Sequence, residues 1–451
     1  MEYLDRIAET GHGMIFASSS IYEIIKDLCL LGSRFSGTES EKEAQEYLKN
    51  YIKELGIEPM EFEFEYTGWY RGTCSFFLQT EETKFFPSFS LVYSPSTEDE
   101  GLEGKLIDGG GGSETELKRI QNELKGNIVM IHSGQTEEGW LHRRIKYANA
   151  VEFGAKAFLF ANHNPGQLFP TGSIRSNRFG EIPAIGISKE TYEYIKEQLH
   201  RKENVGGKIS VLNHSAQTKS KHIIWEIEGE KRDEIIVIGG HYDGHDLAQG
   251  ATDNAGSIAA LLELTKIMKE IKFIPKRTIR FIAFGVEEFG VVGSTIYVNN
   301  VNVDNVKVMI NVDGLIGHIQ KVVACGGNIE MLQLINDMKD QFLYEPIVMK
   351  TIITASDNYP FLLKGIPNIC IYSQNPDPES GRGYGHTSAD TFDKITKLDA
   401  KLSLGFIFSF LLEFSSLEEI PNRMKEKEVI TLLREANLEE NLKILEKWPF
   451  N

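Results

Sequence analysis

In the second half of the chain, apolar runs end one after another on residues that can bind metal. EIIVIGG leads into His241-Tyr242-Asp243, RTIRFIAFGV into Glu287-Glu288, and KVMINV into Asp313. Two further pieces stand on loops: Asp253, in Gly250-Ala251-Thr252-Asp253-Asn254, and His386, in Gly385-His386-Thr387. Neutral imidazole and carboxylate suit Zn²⁺, whose catalytic sites use three protein ligands and leave a position open for water. Two imidazoles and three carboxylates are too many for one such ion. They can serve two ions if one carboxylate bridges. Glu287 and Glu288 are adjacent, so one can bind metal while the other faces the water, the arrangement of a ligand beside a general base. A single His at a strand end, or an Asp before Gly as at Asp313-Gly314, is commonly a hydrogen-bonded corner or a turn former. The repetition at successive strand ends is what singles these residues out. His245 and Asp246 fall beyond their strand and read as loop residues.

The elements that must position these groups alternate. SIYEIIKDLCLLG and ESEKEAQEYLKNYIKELG have the apolar spacing of helices and end in Gly32 and Gly56, and EPMEFEFEYTGW alternates as a half-buried strand does. From about Lys84 to Ser215 the texture changes to short strands, a Gly-rich turn at Gly109 to Gly112, and one helix, which suggests a small α/β or β-rich module of its own. The polar stretch NHSAQTKSK reads as a link. Beyond it, strands HIIWEIEG, EIIVIGGHYD, RTIRFIAFG, KVMINVDG and PNICIYS alternate with helical stretches, of which SIAALLELTKIMKEI is strongly amphipathic. This order predicts an α/β fold with a mostly parallel, doubly covered sheet, whose functional groups lie at the carboxyl ends of strands. The expected division is 1–83 and 216–451 for one main domain and 84–215 for an insert. The charged tail from Glu418 reads as a surface helix.

Composition narrows the function classes. The chain has 451 residues, 48 Lys+Arg against 65 Asp+Glu, and a formal charge of −17. That balance argues against a nucleic-acid backbone or an anionic membrane surface as the main partner. With 41% hydrophobic and 25% charged residues the chain is globular. Cys29, Cys74, Cys325 and Cys370 are scattered without zinc-ribbon spacing and read as packed thiols. No stretch approaches the roughly 20 apolar residues of a membrane helix, and the N-terminus lacks a signal-like apolar run, so a cytoplasmic location is expected. The Gly-rich turn lacks the context of a nucleotide-binding loop.

His241-Tyr242-Asp243, Gly250 to Asn254, Gly285-Val286-Glu287-Glu288-Phe289-Gly290, Asn311-Val312-Asp313 and Gly385-His386-Thr387 resemble, in order, the signatures of the co-catalytic dizinc aminopeptidases. That metallopeptidase group (clan MH) includes glutamate carboxypeptidase, glutaminyl cyclase and the non-catalytic transferrin receptor. Ser356-Asp357, Pro360-Phe361 and Gly365-Ile366-Pro367 are similar to another of its segments. The stretch carrying LKGNIVMI, EFGAKAFLF and EIPAIGIS is similar to a protease-associated (PA) domain. The resemblance implies a zinc-exopeptidase-like (phosphorylase/hydrolase) fold and two Zn²⁺ ions, with other divalent transition metals able to replace them. It implies that His241 and Asp313 bind one ion, Glu288 and His386 the other, and that Asp253 bridges. Glu287 is then the general base, and Asp243 holds the His241 ring. The implied activity is hydrolysis of N-terminal residues from peptides. Alternatives on the same scaffold are a carboxypeptidase, a glutaminyl cyclase or a binding module. A carboxypeptidase needs cations near the site, for which Arg143, Arg144, Arg175 and Arg178 are the candidates. Tyr384 has no assigned role, and the oligomeric state is not legible.

Overall fold

The computed structural model describes residues 2–201, 204–375 and 383–450. Its strands are, in chain order, β1 (Met60–Gln79), β2 (Thr83–Phe86), β3 (Phe89–Ser90), β4 (Leu102–Asp108), β5 (Ile128–His132), β6 (Ala157–Ala161), β7 (Ala184–Ile187), β8 (Gly206–Ile227), β9 (Lys231–His241), β10 (Arg277–Phe284), β11 (Val306–Val312), β12 (Lys321–Ala324), β13 (Ile347–Met349) and β14 (Asn368–Ser373). They form one path, β13-β12-β14-β11-β9-β10-β8-β4-β5-β6-β7-β3, with β1 paired to β8 and β2 to β1. The fold is α/β, with a mixed, mostly parallel sheet.

The centre is parallel: β9 runs beside both β10 and β11, and β11 beside β14. Parallel strands need crossover helices, and these cover the faces. Helices Gly256–Glu270 and Lys397–Ser416 pack one face through Leu261, Leu264, Phe406 and Phe410, all buried with Ile236, Ile238 and Trp225. The strands are accordingly near-continuous apolar runs, as at Ile235–Ile238.

The insert is a smaller parallel sheet, β4 to β7, with its own core around Ile128, Met130, Leu159 and Ile185. It joins the main sheet through β8, whose first residues pair with β4 and whose last pair with β10. Here the sequence expectation is corrected. NHSAQTKSK is not a link but the middle of β8, paired residue for residue with β1 from Glu63↔Lys221 to Arg71↔Asn213. From His214 to Lys219 its side chains are mostly exposed on a two-stranded ribbon, and its ends Asn213 and Ser220 are buried polar groups, so the apolar signal of a strand is missing while the backbone pairing is complete. A helix over Glu2–Ala17, unread in the sequence, packs on helix Lys397–Ser416. Among the described residues, no helix is long and apolar enough to cross a membrane.

The charged tail forms two short helices, Glu426–Glu435 and Glu439–Ile444. The second lies against helix Arg143–Glu152 of the insert, and Glu446 forms an ion pair with Arg178. The tail is therefore more than a surface helix: it ties the insert to the main domain.

Candidate metal centre

The rim of the main sheet brings the expected residues together. His241 is the last residue of β9, Asp313 follows β11, and Glu287 and Glu288 stand on the loop after β10. That loop is a tight, strained one: buried Val286 has φ 64°, a left-handed conformation that β-branched residues rarely adopt. His386, with φ 58°, arrives on a loop from the far side.

The distances describe two clusters sharing one carboxylate. His241 Nε2 lies 3.2 Å from Asp253 Oδ1 and 3.6 Å from Asp313 Oδ1. His386 Nε2 lies 3.2 Å from Asp253 Oδ2 and 3.4 Å from Glu288 Oε2. Donor atoms about 2.0–2.1 Å from a tetrahedral zinc lie about 3.3–3.4 Å apart. Each oxygen of Asp253 therefore faces a different ligand group at an edge length that suits zinc.

The protonation pattern fits as well. His241 Nδ1 lies 2.8 Å from the carbonyl oxygen of Asp243. A carbonyl only accepts, so Nδ1 carries the proton and Nε2 keeps its lone pair for a metal. Among the described residues, that buried Nε2 has no hydrogen-bond partner. Burial pulls the imidazole pKa down, but the carboxylates of Asp253, Asp313 and Glu287 outweigh it and hold it well above 6.5. The cluster thus calls for positive charge at that spot. Glu287 lines the cleft beside Glu288. Burial raises its carboxyl well above 4.5; His241 opposes the shift and the like charge of Glu288 adds to it.

The Asp243 carboxylate differs from expectation. It stands 3.7 Å from His241 Nδ1, and the backbone carbonyl of Asp243 holds the ring instead. The carboxylate accepts from the backbone N–H groups of Glu287 and Glu288, each at 3.2 Å, and from the Ser36 hydroxyl at 3.1 Å. Asp243 fixes the loop that carries both glutamates. The reason is position: past the end of β9 the chain turns, and the carboxylate points to the neighbouring β10 loop.

His245 lies on the loop beyond β9, as expected, but that loop carries it to the metal-capable residues. It is buried inside the cluster, with Nε2 2.6 Å from Glu288 Oε2 and its ring centroid 4.3 Å from that of His386. Asp246, on the same loop, is held by Arg71 at 2.6 and 2.7 Å. Three supports were also missed. Asp390 accepts from Thr252 N at 2.9 Å and Asp253 N at 3.1 Å, holding the shared carboxylate's backbone. Ser356 donates to Asp313 Oδ2 at 2.7 Å. Buried Arg34 donates to the carbonyls of Tyr242, Gln249 and Gly250 at 2.8, 2.6 and 3.0 Å, pinning the 242–250 loop. Asp390 lies four positions after His386, a local signal that was readable; the others come from distant parts of the chain.

Two lobes open from the metal cluster, meeting at Asp313, Asn164, Gly383 and Gly385. One, of about 740 Å³, is lined by Asp253, Ile316, Tyr372 and Tyr384. The other, of about 570 Å³, is lined by Glu287, His386, Arg143, Arg144 and Lys447. Of the four candidate arginines, Arg143 and Arg144 face the cleft. Arg175 pairs with Glu181 at 2.9 Å, and Arg178 bridges Glu181 and Glu446 outside it.

Residues 222–404 match the model of peptidase family M28, and residues 88–195 match the PA domain. The chain belongs to peptidase family M28, with a PA domain inserted. Among M28 relatives, aminopeptidase YwaD of Bacillus subtilis is 25% identical over 442 residues, 94% of this chain and 90% of the relative. Carboxypeptidase Q of Xenopus laevis is 28% identical over 297 residues, 63% of this chain and 62% of the relative. The fold is that of an M28 peptidase precursor from Shewanella amazonensis, with a TM-score of 0.76, 22% identity, and coverage of 94% of this chain and 100% of that one. It is likewise that of a zinc aminopeptidase from Bacillus subtilis, with a TM-score of 0.68, 22% identity, and coverage of 90% and 97%.

Proposed function

We propose that the protein is a zinc-dependent aminopeptidase that releases N-terminal residues from peptides. The family match, taken with the aminopeptidase and carboxypeptidase relatives, makes it a metallo-exopeptidase. The choice of the N-terminal end is supported by the relative that aligns over nearly the full length and is named an aminopeptidase. The observation that carries the chemistry is the shared carboxylate: Asp253 offers one oxygen to His241 and the other to His386, each at 3.2 Å. That set suits two ions, with His241 and Asp313 serving one, Glu288 and His386 the other, and Asp253 both. Zinc held there supplies Lewis-acid polarisation of the scissile carbonyl and a water of lowered pKa.

The chain's own groups then have distinct tasks. The Asp243 carbonyl sets the His241 tautomer, and the Asp243 carboxylate sets the direction of the Glu287–Glu288 loop. Glu287, in the cleft and with raised proton affinity, accepts the proton of the attacking water and returns it to the departing amine. Residues of the PA domain and the tail, among them Arg144 and Leu442, line one lobe of the cleft.

Mass spectrometry of products from matched free and N-acetylated peptides, with and without chelator, tests this reading. Chelator-sensitive shortening from free N-termini alone is expected. Trimming of acetylated peptides from the other end would replace the reading with a carboxypeptidase.

A further inference from the structure

One imidazole of the metal rim has no task in the ligand sets given above. His245 is 4% exposed, and among the described residues neither of its ring nitrogens has a hydrogen-bond partner. A buried polar group left so has given up the bonds it makes in water, which marks a place where something else binds. Its Nε2 lies 2.6 Å from Glu288 Oε2, yet the approach lacks the alignment of a hydrogen bond. An imidazole lone pair and a carboxylate oxygen this close, with no aligned N–H between them, call for a cation. The pair stands nearer than the edge of about 3.3–3.4 Å between zinc ligands, so an ion has to part the two groups slightly.

The loop that presents His245 is firmly built. Wholly buried Arg34 grips carbonyls on both sides of it, those of Tyr242 and Gln249, and Arg71 of β1 clasps the next residue, Asp246, through two nitrogens. The residue before it has to be small: a Cβ on Gly244 would stand 2.9 Å from the Ser33 carbonyl oxygen. Held in this way, the ring reaches the cluster, and its centroid comes to 4.3 Å from that of His386. His245, Glu288 and His386 each offer a donor atom within 4.8 Å of the other two.

Counting donors makes the two halves of the rim unequal. His241, Asp253 and Asp313 form a set of three, the number that leaves zinc a free position. On the other side Glu288, His386 and the second oxygen of Asp253 already make three, and His245 adds a fourth. Four donors of these types close a tetrahedral site, as in sites whose task is to hold the metal. Two imidazoles also favour Zn²⁺ or Co²⁺ over Mg²⁺ or Mn²⁺.

On the two-ion reading above, on which this inference rests, we propose that His245 is a direct ligand of the ion held by Glu288 and His386. The two sites then differ in kind: the His245 site is closed, fills first and keeps its ion, while the His241 site has three protein ligands and exchanges its ion readily.

Metal loading of the full chain tests this without relying on turnover. With one equivalent of Zn²⁺ added to metal-free protein, X-ray absorption should show two imidazole nitrogens per ion at about 2.0–2.1 Å. A single imidazole overturns the proposal, because that is all either site offers without His245. Chelator competition followed by elemental analysis should strip one ion well before the other, with affinities at least about 100-fold apart, more than an outer partner usually contributes. Release of both ions together overturns the inequality. His245→Phe should bring the two affinities close and leave one imidazole per ion in the one-zinc form. Persistence of two imidazoles in that variant excludes His245 as the ligand. If the variant does not fold, the imidazole count of the unaltered protein decides by itself. Failure of the two-ion reading looks different: the unaltered protein then holds fewer than two ions at any zinc concentration, whereas two ions with one imidazole each sink this inference alone.

Discussion

Two surfaces of opposite charge face each other across the cleft, and they are built differently. The metal rim is acidic and grows out of the parallel strands β9, β10 and β11, whose residues Ile236, Ile238, Phe281 and Ile310 are wholly buried. The opposite wall is basic and is assembled from the PA domain and the last residues of the chain, joined by the Arg178–Glu446 ion pair on the surface. A rim residue cannot move without disturbing a sheet packed on both faces. A wall residue moves with the docking of two separate units, whose interactions are partly solvent-exposed. Rim substitutions should therefore abolish chemistry, while wall substitutions should alter selectivity and leave the catalytic step in place.

The sharpest test of that contrast is the shared carboxylate. Asp253→Asn is expected to lose bound metal, read by elemental analysis, together with all measurable turnover; a variant that keeps two ions refutes the bridge. Glu287→Gln should retain the metal and lose kcat by about 10²–10⁴-fold, the usual contribution of a general base. Activity within a few-fold of the parent would assign the proton transfer elsewhere. Asp243→Ala, which frees the loop under both glutamates, should cost about 10–100-fold in metal affinity or activity. Its effect should fall on kcat more than on KM if positioning of Glu287 is what it provides.

A support of the rim should also respond to pH. His222 is buried among Phe62, Phe64 and Phe284, and its Nδ1 accepts from Gly285 N at 3.1 Å, at the root of the Glu287 loop. Burial lowers its pKa from 6.5 to about 3. Below pH 6.5 the unfolded chain takes up a proton that the folded chain refuses. Stability should then fall with falling pH down to about 3, by at most about 1.4 kcal/mol per pH unit from this group. Urea midpoints at a series of pH values should show a smaller slope in His222→Gln. At the other extreme, Glu446→Gln on the wall should change stability by about 0–1 kcal/mol, because an exposed ion pair contributes little. A large loss there would mean that the wall is as firmly built as the rim, and the contrast would fail.

The rim was largely legible because its signals are local. An apolar run of strand length ending on a polar residue marks the carboxyl edge of a parallel sheet, and His241, Glu287, Glu288 and Asp313 all obey it. Asp253 and His386 stand on loops, but their surroundings carry enough small and polar residues to be noticed. The exposed ribbon of β8 was not legible, since a strand solvated on both faces has no apolar alternation to read. His245 lies on a loop, as its distance past the strand end implies, but nothing local shows that this loop, pinned by Arg34, turns it back against Glu288.

Chain-local physics therefore settles which residues form strands and helices, and which side chains stand at the strand ends. These follow from periodicity, β-branched content and turn residues within a few positions of one another. It does not settle what each carboxylate touches. Asp243 meets the Glu287 loop, Ser356 meets Asp313, and Asp390 meets Asp253 only after separate crossovers have brought their loops to the same edge. The basic wall depends still more on closure, because Arg144 and Lys447 lie some three hundred positions apart and share a lobe only when the tail docks on the PA domain. Charge is attached to residues, but the field at a site is a sum over whatever the fold brings near it, and that sum has no local pattern to read.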